Sequence, residues 1–101
     1  MIHVIAFIQV RKGRLDDFLT VFKANVPNVR EESGCLEYVP TVDVPTEIPV
    51  QDRNSAVVTV VEKWNTLADL EAHLVAPHMR DYQEKVKDWV ESVSIKVLTE
   101  A

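Results

Sequence analysis

Four side chains able to do chemistry crowd into "VVEKWNTLADLEAHLVAPHM", Val60 to Met79: Glu62, Trp64, His73 and His78. Imidazole is the natural general base near neutral pH, so His73 and His78 are candidates for moving a proton. Glu62 falls on the same strand face as Val60 and Trp64. A carboxylate on an inward face must be paired, hydrogen-bonded or protonated. Desolvation would fit Glu62 to act as a base beside His73; the alternative is a purely structural pairing with His73 or a backbone N–H. Trp64 is either a core indole closing a strand or a pocket wall for an aromatic ring. His78 shares a helical face with Tyr82, one turn on, so both are candidates for lining the same hollow, as is His3 on the first strand. On a continuous helix His73 and His78, five apart, diverge by roughly 140°. They make no i, i+4 metal pair and no third ligand stands near them in sequence, so no metal is expected.

These residues need a frame. "IHVIAFIQV" (Ile2 to Val10) reads as a strand with apolar residues on both faces. Leu15, Phe18, Leu19, Phe22, Val26 and Val29 recur at helical spacing, with Pro27 predicting a kink or break near Asn25–Val26. Ser33-Gly34 stops that helix. "CLEYVPTVDV" (Cys35 to Val44) reads as a second strand with an edge proline, and Pro45 to Ser55 as a loop, functional or a long hairpin excursion. "AVVTVVEKW" (Ala56 to Trp64) is the clearest strand, with Val58, Val60, Glu62 and Trp64 on the helix-covered side. Thr66 and Asp69 resemble a capping box, Pro77 restarts a helix, and Met79, Tyr82, Val86 and Trp89 share one face. "SVSIKVLT" (Ser92 to Thr99) is the last strand. The order β-α-β-β-α-β predicts an α+β, ferredoxin-like fold: a four-stranded antiparallel sheet with both helices on one face. The other face keeps branched apolar residues, so a homodimer through that open face is expected.

Composition limits the partners. The 101 residues fit one domain, 1–101, with 47% hydrophobic and 27% charged residues. A net charge of −5 with no basic cluster argues against nucleic acid. No apolar run approaches a membrane span, and Arg11 and Lys12 close the short apolar start, so neither membrane insertion nor a leader is expected. The single cysteine, Cys35, suits a reducing, cytoplasmic setting and reads as a small buried residue rather than a nucleophile.

The Glu62-x-Trp64 strand end, the Thr66-started helix, His73-Leu74 and the Pro77-His78 pair together resemble the antibiotic biosynthesis monooxygenase family. "EESGCLEY" (Glu31 to Tyr38) resembles its Glu-x-Gly-Cys marker, and "RKG" a weaker third one. The resemblance covers nearly the whole chain. It implies a dimeric α+β barrel with a pocket between sheet and helices in each protomer. It also implies a small-molecule substrate: some members oxidise quinols or polyketide phenols with O₂ as co-substrate and no bound cofactor, others degrade heme, and a related branch isomerises a phosphorylated sugar. Quinone-forming members carry Asn and Tyr where Val60 and Leu70 stand here. Heme degraders carry Asn in place of Ala6 and a ligating His near Tyr82 or Gln83, which argues against heme. The leading expectation is a monooxygenase for a quinol or similar phenol, with His73 and Glu62 catalytic and Trp64, His78, Tyr82 and His3 binding substrate. The rivals are an isomerase holding phosphate through Arg53, Arg80 or Lys85, and a non-catalytic dimer that binds a small apolar ligand.

Overall fold

A computed structural model describes all 101 residues. The elements run β1 (Ile2–Val10), α1 (Leu15–Arg30), β2 (Cys35–Thr41), β3 (Val57–Trp64), α2 (Leu67–Leu74), α3 (Pro77–Val86) and β4 (Val90–Leu98). They form the antiparallel sheet expected for a ferredoxin-like fold, in strand order β2-β3-β1-β4. Alternation along the strands decides which face each side chain serves. Val4, Ala6, Ile8 and Val10 of β1 and Val58, Val60, Glu62 and Trp64 of β3 are all buried beneath the helices. Phe18, Phe22, Val26 and Val29 of α1 meet them.

Three local expectations change. Helix α1 runs through Pro27 without a break. The proline sits in the last turn, and buried Val26 and Val29 on either side of it hold that turn in place against the lost N–H and the crowding of the carbonyl one turn back. Helix α3 restarts at Pro77 as expected, but Trp89 falls beyond it, where Arg14 lies 5.0 Å over its ring. Strand β2 stops at Thr41. Residues 42–56 make a long excursion before β3, pinned by Asn54 N–H donating to Asp43 (2.7 Å) and Asn54 Nδ2 to Gln9 (3.1 Å).

Two apolar surfaces remain uncovered. The outer sheet face carries half-buried Ile5, Val39 and Val61 and exposed Phe7. On the helix side, Val93, Ile95 and Val97 of β4 pair with Ile8, Ala6 and Val4, yet are 59%, 44% and 46% exposed, because no helix reaches that edge. That uncovered edge is what leaves the interior open.

Candidate active site

Between the inner sheet face, α1 and α3 lies a cleft of about 330 Å³, opening past β4. Its walls are mostly apolar, among them Ala6, Phe22, Val60, Met79 and Ile95. Its polar groups are Glu62, His73, Tyr38, Tyr82, Gln83 and Lys87. This is the composition of a small-molecule pocket: apolar walls with a few converging polar groups.

His73 is delivered by α2. Thr66 caps that helix, its hydroxyl accepting from Asp69 N–H at 3.1 Å, and Leu70 and His73 form its buried face. His73 is 2% exposed. Its Nδ1 lies 2.8 Å from Glu32 Oε2, and the Nε2 of His78 lies 2.9 Å from that same oxygen. A carboxylate only accepts, so each imidazole donates through the nitrogen facing it. His73 therefore carries its proton on Nδ1 and its lone pair on Nε2. No hydrogen bond engages that Nε2. No buried side-chain nitrogen or oxygen lacks a partner, so Nε2 is not sealed off, and His73 lines the cleft.

Glu32 was not among the residues predicted from sequence. It sits in the turn between α1 and β2, which must fold tightly against α2. Gly34 makes that possible: its φ is +79°, and a Cβ there would collide with the Asp69 carboxylate. Gly34 C=O also accepts from Asn65 N–H at 2.8 Å, tying the turn to the end of β3. The Glu-x-Gly-Cys marker was the available signal, but its partners lie 41 and 46 residues away. The expected divergence of His73 and His78 fails for a related reason. They are not on one helix: the break at Val75–Ala76 and the restart at Pro77 turn both rings toward Glu32.

Glu62 reaches the cleft from β3 and is 7% exposed. Its partner is the indole N–H of Trp64, at 3.0 Å, not His73 or a backbone N–H. Burial pushes the Glu62 carboxyl above its ordinary range, opposed by the indole N–H and by nearby His73, and Glu32 adds repulsion. Trp64 does not line the cleft. It is fully buried, its ring 4.7 Å from that of His73, so it backs the imidazole and braces Glu62 rather than offering a face to a substrate. Tyr82 lines the cleft as expected, packed edge-on to Phe22, and burial pushes its phenol up. Tyr38, also missed, stacks on Phe22 and meets His73 edge-on; burial, then Glu62, raises its phenol as well. Both phenols are therefore neutral donors.

Five expected contributors lie elsewhere. His78 is outside the cleft, in a polar groove between α1 and α3. His3 pairs with Lys63 and Leu98 on the outer sheet face, because odd-numbered β1 residues point away from the helices. The phosphate candidates are scattered: Lys85 lines the α1–α3 groove, Arg53 a hollow beside Asp43 and Ser55, and Arg80 is exposed; none lines the cleft. Burial, then Glu32 and Glu62, raises the Cys35 thiol, which suits a packing residue rather than a nucleophile.

Residues 1–85 match the family description "Antibiotic biosynthesis monooxygenase". The chain belongs to that family. It is 38% identical over 104 residues to "Probable quinol monooxygenase YgiN" of Escherichia coli K12, covering 97% of this chain and 96% of that one. In fold it resembles a conserved protein from Methanosarcina mazei Go1 (TM-score 0.84, 19% identity, 99% of this chain and 92% of that). It also resembles PA3566 from Pseudomonas aeruginosa (TM-score 0.81, 24% identity, 99% and 93%). No helix is long and apolar enough to cross a membrane.

Proposed function

We propose that this family member is a monooxygenase for a quinol or comparable electron-rich phenol, using O₂ as co-substrate, with His73 as general base. The carrying observation is the pairing of His73 Nδ1–H with Glu32, which leaves Nε2 as a proton acceptor on an apolar cleft. A phenol with a free pKa near ~10 gives up a proton to Nε2. The resulting anion is rich enough to pass electrons to O₂. In the overall balance a quinol and O₂ give a hydroxyquinone and water: one oxygen atom stays on a ring carbon, and the other leaves with the displaced hydrogens. The protein binds the ring, takes the proton and keeps water away. Glu62 supports positive charge on His73 as the proton arrives, Tyr38 and Tyr82 supply neutral O–H donors, and Trp64 fixes the geometry. The likeness to the "Probable quinol monooxygenase YgiN" supports the substrate class.

The proposal includes a cytoplasmic homodimer, with a second copy covering the outer face around Ile5, Phe7 and Val61. Oxygen uptake with a naphthoquinol tests the chemistry. His73→Ala, confirmed as folded by circular dichroism, should lose about 10²–10⁴-fold in rate. Unchanged uptake removes His73 from the mechanism.

A further inference from the structure

We propose that Glu32, His73 and His78 form a binding site for a divalent transition-metal ion, Zn²⁺ foremost, and that its occupancy switches off the cleft base. The site is built from three elements that meet nowhere else: the α1–β2 turn, the last turn of α2 and the first turn of α3. His73 Nδ1, His78 Nε2 and a Glu32 carboxylate oxygen lie within 4.8 Å of one another.

The chemistry selects the ion. Two imidazoles and one carboxylate are a donor set used by zinc, and by other first-row metals with open positions. Hard ions such as Mg²⁺ and Ca²⁺ prefer oxygen alone. Zinc bonds of ~2.0–2.1 Å give a tetrahedron whose edge is about 3.3 Å. The two nitrogen–oxygen separations here are 2.8 and 2.9 Å, and no two of the three atoms lie more than 4.8 Å apart, so an ion enters as the Glu32 carboxylate draws back from the two nitrogens that now point at it. The carboxylate supplies one negative charge, and the fourth position is left for water. Entry is available: the side chains of His78 and Glu32 are 26% and 14% exposed, and His78 borders the polar α1–α3 groove.

The consequence follows from the tautomer and rests on the base reading given above. Zinc on Nδ1 of His73 displaces that proton to Nε2, because a neutral imidazole carries only one. Nε2 then donates instead of accepting, and His73 cannot take a proton from a phenol. The site is thus inhibitory, opposite in sense to a catalytic cofactor.

Zinc titration of purified metal-free protein, read by calorimetry and elemental analysis, decides the matter without substrate. The expected result is one Zn²⁺ per chain and a zinc-dependent rise in Tm. His78→Gln keeps a donor for Glu32 but no strong zinc ligand, and His78→Ala serves as a second variant. Each should weaken binding by at least about 100-fold, while Cys35→Ser binds as the wild type does. No binding at micromolar zinc, equal binding by the His78 variants, or loss of binding in Cys35→Ser each overturns the site. Zinc should also inhibit quinol oxidation by the wild type, and the His78 variants should escape it; stoichiometric binding without inhibition overturns the switch and leaves the site. If zinc binds as stated but no quinol turns over at all, the base reading fails and the metal site stands.

Discussion

Replacing Glu32 by Ala should damage the fold out of proportion to its place in a surface turn. The carboxylate accepts from two imidazoles at once, but the two bonds are unequal. The His73 side chain is 3% exposed, so without Glu32 its Nδ1–H loses a charged partner in a nearly closed setting. Hydrogen bonds to a charged group contribute about 1.5–3 kcal/mol, and a buried donor left unpaired forfeits that range. His78, 26% exposed, can rehydrate, so its share is about 0.5 kcal/mol. Relief of the repulsion between Glu32 and Glu62 offsets a little. The sum is about 2–3 kcal/mol, or about 10–15 °C in Tm for a domain of this size. Urea denaturation followed by circular dichroism should show a lower midpoint with an unchanged slope. A double-mutant cycle of Glu32→Ala with His73→Ala should return a coupling of about 1–2 kcal/mol, and Glu32 with His78 much less. A Glu32→Ala protein within about 0.5 kcal/mol of wild type, the range of ordinary surface changes, would refute the claim that this carboxylate anchors the site.

Other expectations concern pH, backbone and assembly. Because the native Glu62 carboxyl titrates above its ordinary range, the folded chain binds protons that the unfolded chain has released. Stability therefore falls as pH rises from about 4.5 through the raised native value. Glu62→Gln keeps an oxygen for the Trp64 indole and should be more stable than wild type at neutral pH, the gap closing near pH ~4; a constant gap would contradict the burial argument. Gly34→Ala should cost more than Gly13→Ala. Both positions have positive φ, costing about 1–2 kcal/mol, but only Gly34 also collides with Asp69, whereas Gly13 faces open space. Equal losses in thermal melts would show that the turn does not press on α2. Sedimentation should find a dimer that Phe7→Glu splits into monomers, since the charge would have to be buried; a wild-type monomer rules out the covered outer face.

Periodicity carried most of the fold. The twofold alternation of Val58, Val60, Glu62 and Trp64 assigned the inward face of β3 correctly, and the helical spacing of Phe18, Phe22, Val26 and Val29 assigned the core face of α1. Pro77 marked the restart of α3. The site was only half legible. Glu62, His73 and Tyr82 were expected at the cleft and are there. Glu32 was invisible because its partners are distant in sequence and meet it only when the Gly34 turn closes on α2. Trp64 allowed two readings, core indole and pocket wall, and the first holds; strand direction shows which face a residue takes, not how deeply neighbours bury it. His3 had the parity of the outer face, opposite to Val4, and was assigned to the cleft against that parity. The openness of β4 depends on where the helices end, which no local pattern encodes.

The chemistry of the cleft turns on Glu32 holding His73 with its proton on Nδ1 and its lone pair on Nε2. Nitrogen-15 NMR of metal-free protein at about pH 8, above the ordinary imidazole range, reads the tautomer directly. His73 should show a protonated Nδ1 and a bare Nε2, and should lose that preference in Glu32→Ala. A proton found on Nε2 in the wild type would contradict it.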